Sequence, residues 1–571
     1  MRKLKGIPAS PGVANGPAYI FQDTELTIEK KTISDTSAEL KRFEEATQSA
    51  LEQIKAIREK AVSETSSEEA SIFDAHAMFL QDPTLIDAIR QAIGNNAINA
   101  EAAVNEALET HAQTLESMED EYFRARAADI RDVGRRVVCI LLGIDDVDLS
   151  SLDQPSIIIA RDLTPSDTVR LDKNLVLGFC TVEGGPTSHT AILAKALALP
   201  AVVGAGSDVL NVPSSSLILL DGQKGEIVVD PDEALQLEFA ERKREHETRS
   251  SEELENAFNS AVTLDGFEIE VVANVGNLQD AQMALERGAE GIGLLRTEFL
   301  YLDRATAPDE AEQLTAYDQI LDLMGERPVI VRTLDVGGDK ELPYLDLGQE
   351  ANPFLGWRAI RMCLDQPDLF KTQLRALLRS SPGHDLRIMF PMIATLEEVR
   401  RAKALLDESR DEVCAGGAAV AESIQLGIMV EIPSVVVLAD QFAKEVDFFS
   451  IGTNDLTQYT MAAERTNEKV AHLGDACHPA VLQQIRSVLQ AAQGEGIWVG
   501  LCGELAGDPE AIPVLLGLGL DEFSMAPASI PRAKTILRRW SKADAVKLAE
   551  EVLDFDSAED VRDRVRTAQP K

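Results

Sequence analysis

The chain has 571 residues, too many for one core at roughly 150 residues per domain, so three or four folding units are expected. Its 96 acidic against 55 basic residues leave a formal charge of −41, which opposes general affinity for nucleic acid or an anionic membrane and suits a neutral or basic protein partner. No stretch approaches the ~18 apolar residues of a membrane span, the basic start Met1 to Ser10 has no apolar run behind it, and the six cysteines lack C-x-x-C spacing. A cytoplasmic protein without membrane insertion, disulfides or structural zinc is expected.

After an extended start, Gly6 to Phe21, the segment from Ser34 to Gly143 reads as helices. Leu40, Phe43, Thr47, Ala50, Leu51, Ile54 and Ile57 form one helical stripe with Ser37 as its cap; further helices are expected over Ser67–Phe79, over Asp82–Ile93 with Pro83 near its start, and along the run Glu101 to Leu142. From Ser156 short β-type runs take over, Ile157–Ala160, Leu175–Cys180, Ala201–Val203, Leu217–Leu220 and Ile227–Val229. The opening Gly6 to Phe21 shares their character, which makes the helical bundle an insertion into a small α/β domain.

Within that domain Gly184-Gly185-Pro186-Thr187-Ser188-His189-Thr190 brings His189 to the start of the apolar run Ala191 to Leu199. Two glycines permit a tight turn, and the first free N–H groups of a helix suit an oxyanion, so an imidazole here can take a phosphoryl group. A histidine that merely caps or packs under the helix fits these seven residues equally well. Asp230 to Asn259 follows, charged nearly all round, as expected of a solvated helix bridging domains or of an ordinary surface helix.

Eight β-type runs then alternate with helices, near Ile269–Ala273, Gly291–Leu295, Val329–Arg332, Ile388–Phe390, Ile428–Val430, Phe448–Ile451, Val499–Cys502 and Phe523–Met525. That is the pattern of a (β/α)8 barrel, whose chemistry sits where strands end. Those positions carry Arg296 with Glu298, Arg332 with Asp335, Glu431, Asn454 with Asp455, and Cys502 with Glu504, while Arg358 and Arg465 lie on intervening segments. Arginine forks grip phosphate and carboxylate, and Glu431 and Asp455 are hard oxygen ligands suited to Mg²⁺, so the mouth suits a small phosphorylated carboxylate. The bland alternatives are that the two carboxylates neutralise the arginines and that Cys502 is a small buried apolar residue.

The segments KGIPASPGVANGPA, LTPSDT, GGPTSHTAILAKALALPAVVG, GLLRTEFLY, VRTLDVGGDK, NPFLGWRAIR, FPMI, VEIPS, IGTNDLTQYTMAAER and GLCGELAGD, in this order from end to end, resemble Enzyme I of the bacterial phosphoenolpyruvate-dependent sugar phosphotransferase system. The resemblance implies a multidomain α/β protein: a phosphohistidine α/β domain (1–22 with 146–230), an inserted helical domain (23–145) that docks the carrier protein HPr, a helical linker (231–260), and a phosphoenolpyruvate-binding (β/α)8 barrel (261–571) that dimerises. It implies that His189 is phosphorylated on Nε2 with Thr168 as its orienter. Arg296, Arg332 and Arg465 would clamp phosphoenolpyruvate beside Asn454, with Arg358, Lys340 and Lys195 supporting. Glu431 and Asp455 would hold Mg²⁺, and Cys502 would protonate the enolate to give pyruvate. Pro186 and Lys195 stand where arginines are common in the family, so rate and phosphohistidine equilibrium differ if those arginines matter. Two rivals remain from the sequence: a pyruvate phosphate dikinase or phosphoenolpyruvate synthase, which needs an ATP-binding domain for which no G-x-x-x-x-G-K-[ST] loop is present, and a scaffold that kept the fold but lost turnover.

Overall fold

A computed structural model describes residues 1–21, 26, 28–64, 73, 76–116, 121–144, 152–164, 167, 175–185, 190–191, 194, 199–302, 304, 306–337, 342, 344–345, 350–464, 467 and 470–568. The chain divides into two compact units, Met1–Thr248 and Arg249–Lys571.

The first unit holds strands β1 (Arg2–Lys5), β2 (Ile7–Ser10), β3 (Val13–Ile20), β4 (Ser156–Ala160), β5 (Val176–Thr181), β6 (Ala201–Val203), β7 (Leu217–Asp221) and β8 (Glu226–Val229). They form one sheet in the order β1-β8-β7-β3-β4-β5-β6-β2, parallel along β3-β4-β5-β6 and antiparallel elsewhere. β4 is buried along its whole length, and its period-two alternation serves both faces. Ile157 and Ile159 pack with Cys180, Leu220 and Ile227, whereas Ile158 and Ala160 pack with Phe179, Ala191 and Ala194. The opening strands therefore complete the sheet whose strands β5 and β6 flank the histidine segment in sequence.

Between β3 and β4 lie helices Thr36–Glu64, Pro83–Asn96, Ala100–Glu116 and Glu121–Leu142, which bury Phe43, Ile54, Ile93, Leu108 and Val133 in a core of their own. Two expectations, at Ser37 and at Asp82, are corrected here. The first helix starts at Thr36 and its cap is Asp35, whose carboxylate accepts the Ala38 N–H at 3.0 Å, so Ser37 lies inside the first turn. The run Glu101 to Leu142 is two helices. Asp82 is itself the cap of the Pro83 helix, accepting from the N–H groups of Thr84 and Leu85. The expected helix Ser67–Phe79 falls largely outside the described residues, of which 76–81 are helical.

Helix Glu233–Asn256 is less solvated than its charge suggests. Phe239 is buried against Leu219 and Val228, and Arg242 donates to the buried carboxylate of Asp221 at 2.6 Å, both within the first unit. Within the second unit, Glu253 pairs with Arg532 at 3.0 Å, and the buried Lys534 ammonium donates to the carbonyls of Ala257 and Gly288 and to Glu290.

The second unit opens with β9 (Ala261–Val262), a hairpin partner of β10 (Glu268–Val275). β11 (Ile292–Leu295), β12 (Val329–Arg332), β13 (Leu386–Phe390), β14 (Leu426–Val430), β15 (Phe448–Ile451), β16 (Trp498–Leu501) and β17 (Glu522–Met525) follow. β10 to β17 run parallel in chain order, and β10 pairs with both β17 and β11, closing an eight-stranded barrel. All eight strands match the expected runs to within two residues at either end. Leu294, Ile330, Met389, Met429, Phe448 and Cys502 pack together as one cluster, separate from the large core formed with the surrounding helices. Because every barrel strand points the same way, the residues that follow them share one rim. Among the described residues no helix is long and apolar enough to cross a membrane.

Candidate active site at the barrel mouth

Arg332 is the last residue of β12 and only 7% exposed. Its Nη2 donates to Glu298 Oε1 at 2.7 Å, and its Nη1 lies 3.1 Å from Asp335 Oδ2. Asp335 also accepts three close bonds from Arg358, at Oδ1 from Nε at 3.2 Å and at both oxygens from Nη2 at 3.0 Å, and Arg358 Nη1 stands 3.6 Å from Asp455 Oδ1. Phe354 lies beneath the Arg358 guanidinium, 6.0 Å away, and its carbonyl accepts the Tyr459 hydroxyl at 2.6 Å. Apart from the i,i+3 pair Arg332–Asp335, sequence position links none of these; the barrel brings the ends of β11, β12 and β15 together.

Glu431 directly follows β14 and is 1% exposed. Its Oε1 accepts the Met392 N–H at 2.5 Å, and Met392 adopts φ 55°, a left-handed conformation that an unbranched non-glycine residue holds only at a cost. Ala359, beside Arg358, has φ 52°. Backbone strain thus flanks both the acidic and the basic side of the mouth. Sequence reading missed Met392 and Tyr459, since neither a backbone N–H nor a distant phenol announces itself in a strand-end motif.

The site fits a divalent cation. Glu298, Asp335, Glu431 and Asp455 set four carboxylates against Arg332 and Arg358, an excess of two negative charges when all are ionised. Among the described residues, Glu431 Oε2 and Asp455 Oδ1 are buried without a hydrogen-bond partner, Asp455 Oδ1 having only the 3.6 Å ion pair with Arg358. A Cβ on Gly452 would stand 3.1 Å from Glu431 Oε2, so the glycine leaves space beside that oxygen. Two carboxylates with room for substrate oxygens are what Mg²⁺ accepts.

Burial, reinforced by Asp455 and Asp335, raises the Glu431 carboxyl above the ordinary range. A bound cation would restore the ionised form. For Arg332 burial works against the charge, but Glu298, Asp335 and Glu431 outweigh it and hold the guanidinium above its usual value; Arg358 behaves likewise through Asp335, Asp455 and Glu431.

Arg296 follows β11 and is exposed, and its guanidinium makes no hydrogen bond or ion pair with the described residues. Asn454 and Asp455 lie in helix Thr453–Met461 after β15, and Asn454 clasps the loop after β16 by accepting the Glu504 N–H at 3.0 Å and donating to Glu504 Oε1 at 3.3 Å. Cys502 follows β16 and is 5% exposed. It packs with apolar neighbours, and burial pushes its thiol up to about 11, so it stays protonated at neutral pH. Buried packing and a role as an acid are therefore compatible. Lys340 and Arg465 lie outside the described residues.

In the first unit His189, Thr168, Lys195 and Pro186 also lie outside the described residues. Around that segment, Thr190 is fully buried and its hydroxyl donates to Asp162 Oδ1 at 3.3 Å, while the Thr164 hydroxyl donates to Asp167 at 2.7 Å.

Family models described as "PEP-utilising enzyme" match the N-terminal part over residues 5–126, the mobile domain over 152–225 and the PEP-binding domain over 250–542. Proteins named phosphoenolpyruvate-protein phosphotransferase from Geobacillus stearothermophilus and Bacillus subtilis are each 48% identical, covering 98% of this chain and 97% and 98% of their own. The chain belongs to the phosphoenolpyruvate-protein phosphotransferase family. A relative of the same name from Staphylococcus carnosus is 47% identical over 99% of this chain. A solution structure titled as Enzyme I (nEIt) is 42% identical over 43% of this chain and 99% of that one, with a TM-score of 0.39. Family membership spans both units, so the barrel mouth and the histidine segment belong to one phosphotransferase.

Proposed function

We propose that this phosphotransferase moves the phosphoryl group of phosphoenolpyruvate to His189 and then to a histidine of the carrier HPr, releasing pyruvate, as the first step of sugar uptake in the cytoplasm. One observation carries the reading: the buried lattice Glu298–Arg332–Asp335–Arg358–Asp455 at the barrel rim, beside a Glu431 oxygen that has no hydrogen-bond partner among the described residues. Such a lattice suits a small, densely charged substrate.

Arg296, Arg332 and Arg465 grip the phosphate and carboxylate of phosphoenolpyruvate, Asn454 orients it, and Arg358 and Lys340 support the lattice. Glu431 and Asp455 hold Mg²⁺, which when bound supplies positive charge to the phosphate oxygens. Neutral His189, oriented by Thr168 with Lys195 nearby, attacks phosphorus: an N–P bond forms as the bond to the enol oxygen breaks. The attack needs the neutral ring, because only that form has a free lone pair. The enolate then takes the proton of the Cys502 thiol at its terminal carbon, becoming the methyl group of pyruvate.

The inserted helices offer the HPr docking face, where Met78 is 72% exposed. A second copy of the chain suits the barrel, because Leu355, Val437, Leu438 and Leu473 stand exposed on segments that follow β12, β14 and β15. The division into 1–22 with 146–230, 23–145, 231–260 and 261–571 assigns histidine carrier, docking module, connector and synthetic centre in turn.

Incubation with phosphoenolpyruvate and Mg²⁺ should place an acid-labile phosphate on the parent and none on His189→Ala; a label that persists in the variant overturns the assignment. A requirement for ATP or AMP would favour a dikinase, and labelling without repeated transfer a scaffold.

A further inference from the structure

Asn274 lies near the end of β10, and nothing in the reaction described so far uses it. Its Nδ2 donates to the backbone carbonyl of Cys502 at 2.9 Å, and its Oδ1 accepts the Ser524 hydroxyl at 2.6 Å. The partners lie 228 and 250 residues further along the chain, on the segment after β16 and on β17. The orientation of the amide is determined by this geometry. A peptide carbonyl only accepts, so the NH₂ group must face Cys502 and the oxygen must face Ser524.

Two further features build this contact. The pairing of β10 with β11 slips between Ala273 and Asn274, since Ala273 stands opposite Ile292 and Asn274 opposite Leu294. Such a bulge re-aims the side chain beside it. The residue skipped is Gly293, and a Cβ there would stand 2.4 Å from Ser524 Oγ and 2.5 Å from Val272 Cγ2. Any larger residue would push the hydroxyl that fixes the amide. Cys502 is meanwhile held from the other side, its N–H donating to the Ile451 carbonyl at 3.0 Å.

We infer that Asn274, fixed by Ser524 and by the space at Gly293, is a positioning residue that aims the Cys502 thiol at the terminal carbon of the enolate. The inference rests on the assignment of Cys502 as the acid. In that step the S–H bond breaks, a C–H bond forms on the enolate carbon, the enolate electrons become the ketone of pyruvate, and the thiolate recovers a proton from water. Without the clasp the enolate leaves before it is protonated and takes its proton from solvent on either face.

The test uses the full-length protein with Mg²⁺ and phosphoenolpyruvate carrying one deuterium stereospecifically at its terminal carbon, turned over in tritiated water. Parent enzyme should give pyruvate with a chiral methyl group. Asn274→Ala should lower kcat about tenfold, as loss of alignment does, leave KM within about twofold, and give a largely racemic methyl group. Ser524→Ala, which removes a single hydroxyl and spares the fold, should shift chirality in the same direction. Retained chirality in both variants, whatever their kcat, overturns the inference, because a purely structural role would not scramble the face of protonation. Cys502→Ala separates the two levels: full chirality there removes the acid assignment itself, whereas chirality lost there and kept in Asn274→Ala and Ser524→Ala removes only the positioning role.

Discussion

Asp335 is the residue on which the mouth turns, because one carboxylate holds two buried guanidiniums. Asp335→Asn leaves Arg332 and Arg358 without their shared partner, and removing one side of a buried pair typically costs about 3 kcal/mol. The urea midpoint of the barrel should fall accordingly, and kcat/KM for phosphoenolpyruvate should drop at least tenfold. Glu522 is a second informative residue, 1% exposed, with neither carboxyl oxygen hydrogen-bonded among the described residues. Burial, with Glu270 adding repulsion and Arg387 opposing it, pushes its carboxyl up to about 8. The folded form therefore keeps a proton that the unfolded chain gives up near pH 4.5, and the stability this group contributes is lost as pH rises from there through about 8. Glu522→Gln should abolish that part of the slope, so denaturant midpoints at pH 6 and pH 9 should lie closer together in the variant than in the parent.

At the scale of elements, the C-terminal helix Ala558–Ala568 braces the segments that follow β15 and β16. Arg562 donates to Asp475 at 2.7 and 2.9 Å and to Asp508 at 2.7 Å, which ties the segment after helix Thr453–Met461 to the short turn Glu504–Gly507. Arg562→Ala should expose the segment around Asp475 to limited proteolysis and reduce kcat several-fold more than it raises KM. The strands were legible from sequence because strands buried on both faces must be apolar throughout, which makes a polar residue at their ends conspicuous. Arg332, Glu431 and Cys502 stood out for that reason. Asn274 did not, since its partners are neighbours only once the barrel closes and no local pattern encodes a contact across more than 200 residues. Helix ends were read less well, as at Asp35, where the cap is set by which oxygen reaches the first N–H groups rather than by residue type alone.

For the whole molecule, the connector helix is fastened at both ends, through Phe239 and Arg242 in one unit and through Glu253 in the other. On the proposed function His189 would serve a metabolite in the barrel and a carrier on the bundle, so rotation is expected to concentrate in the charged turns between those fastenings. A rigid crosslink between the histidine domain and the barrel should preserve self-phosphorylation and stop transfer to HPr; survival of both, read by phosphate appearing on HPr, would refute the swing. The general plan of barrel, carrier and inserted bundle was readable because each has its own periodicity. The roles of Lys340, Arg465, Thr168 and His189 rest on motif resemblance, as these residues lie outside the described ones.

The Glu298–Arg332–Asp335–Arg358–Asp455 chain makes the mouth behave like an ion exchanger. Arg332 and Arg358 are both paired, so an incoming phosphate that reaches them would displace carboxylates already in place, and part of the attraction is cancelled in advance; the exposed Arg296 is the exception. Once the phosphoryl group has gone, pyruvate carries a single negative charge and the resident carboxylates reclaim their arginines. Turnover is then favoured over retention: the enzyme grips its fuel firmly enough to spend it and too weakly to be poisoned by the ash.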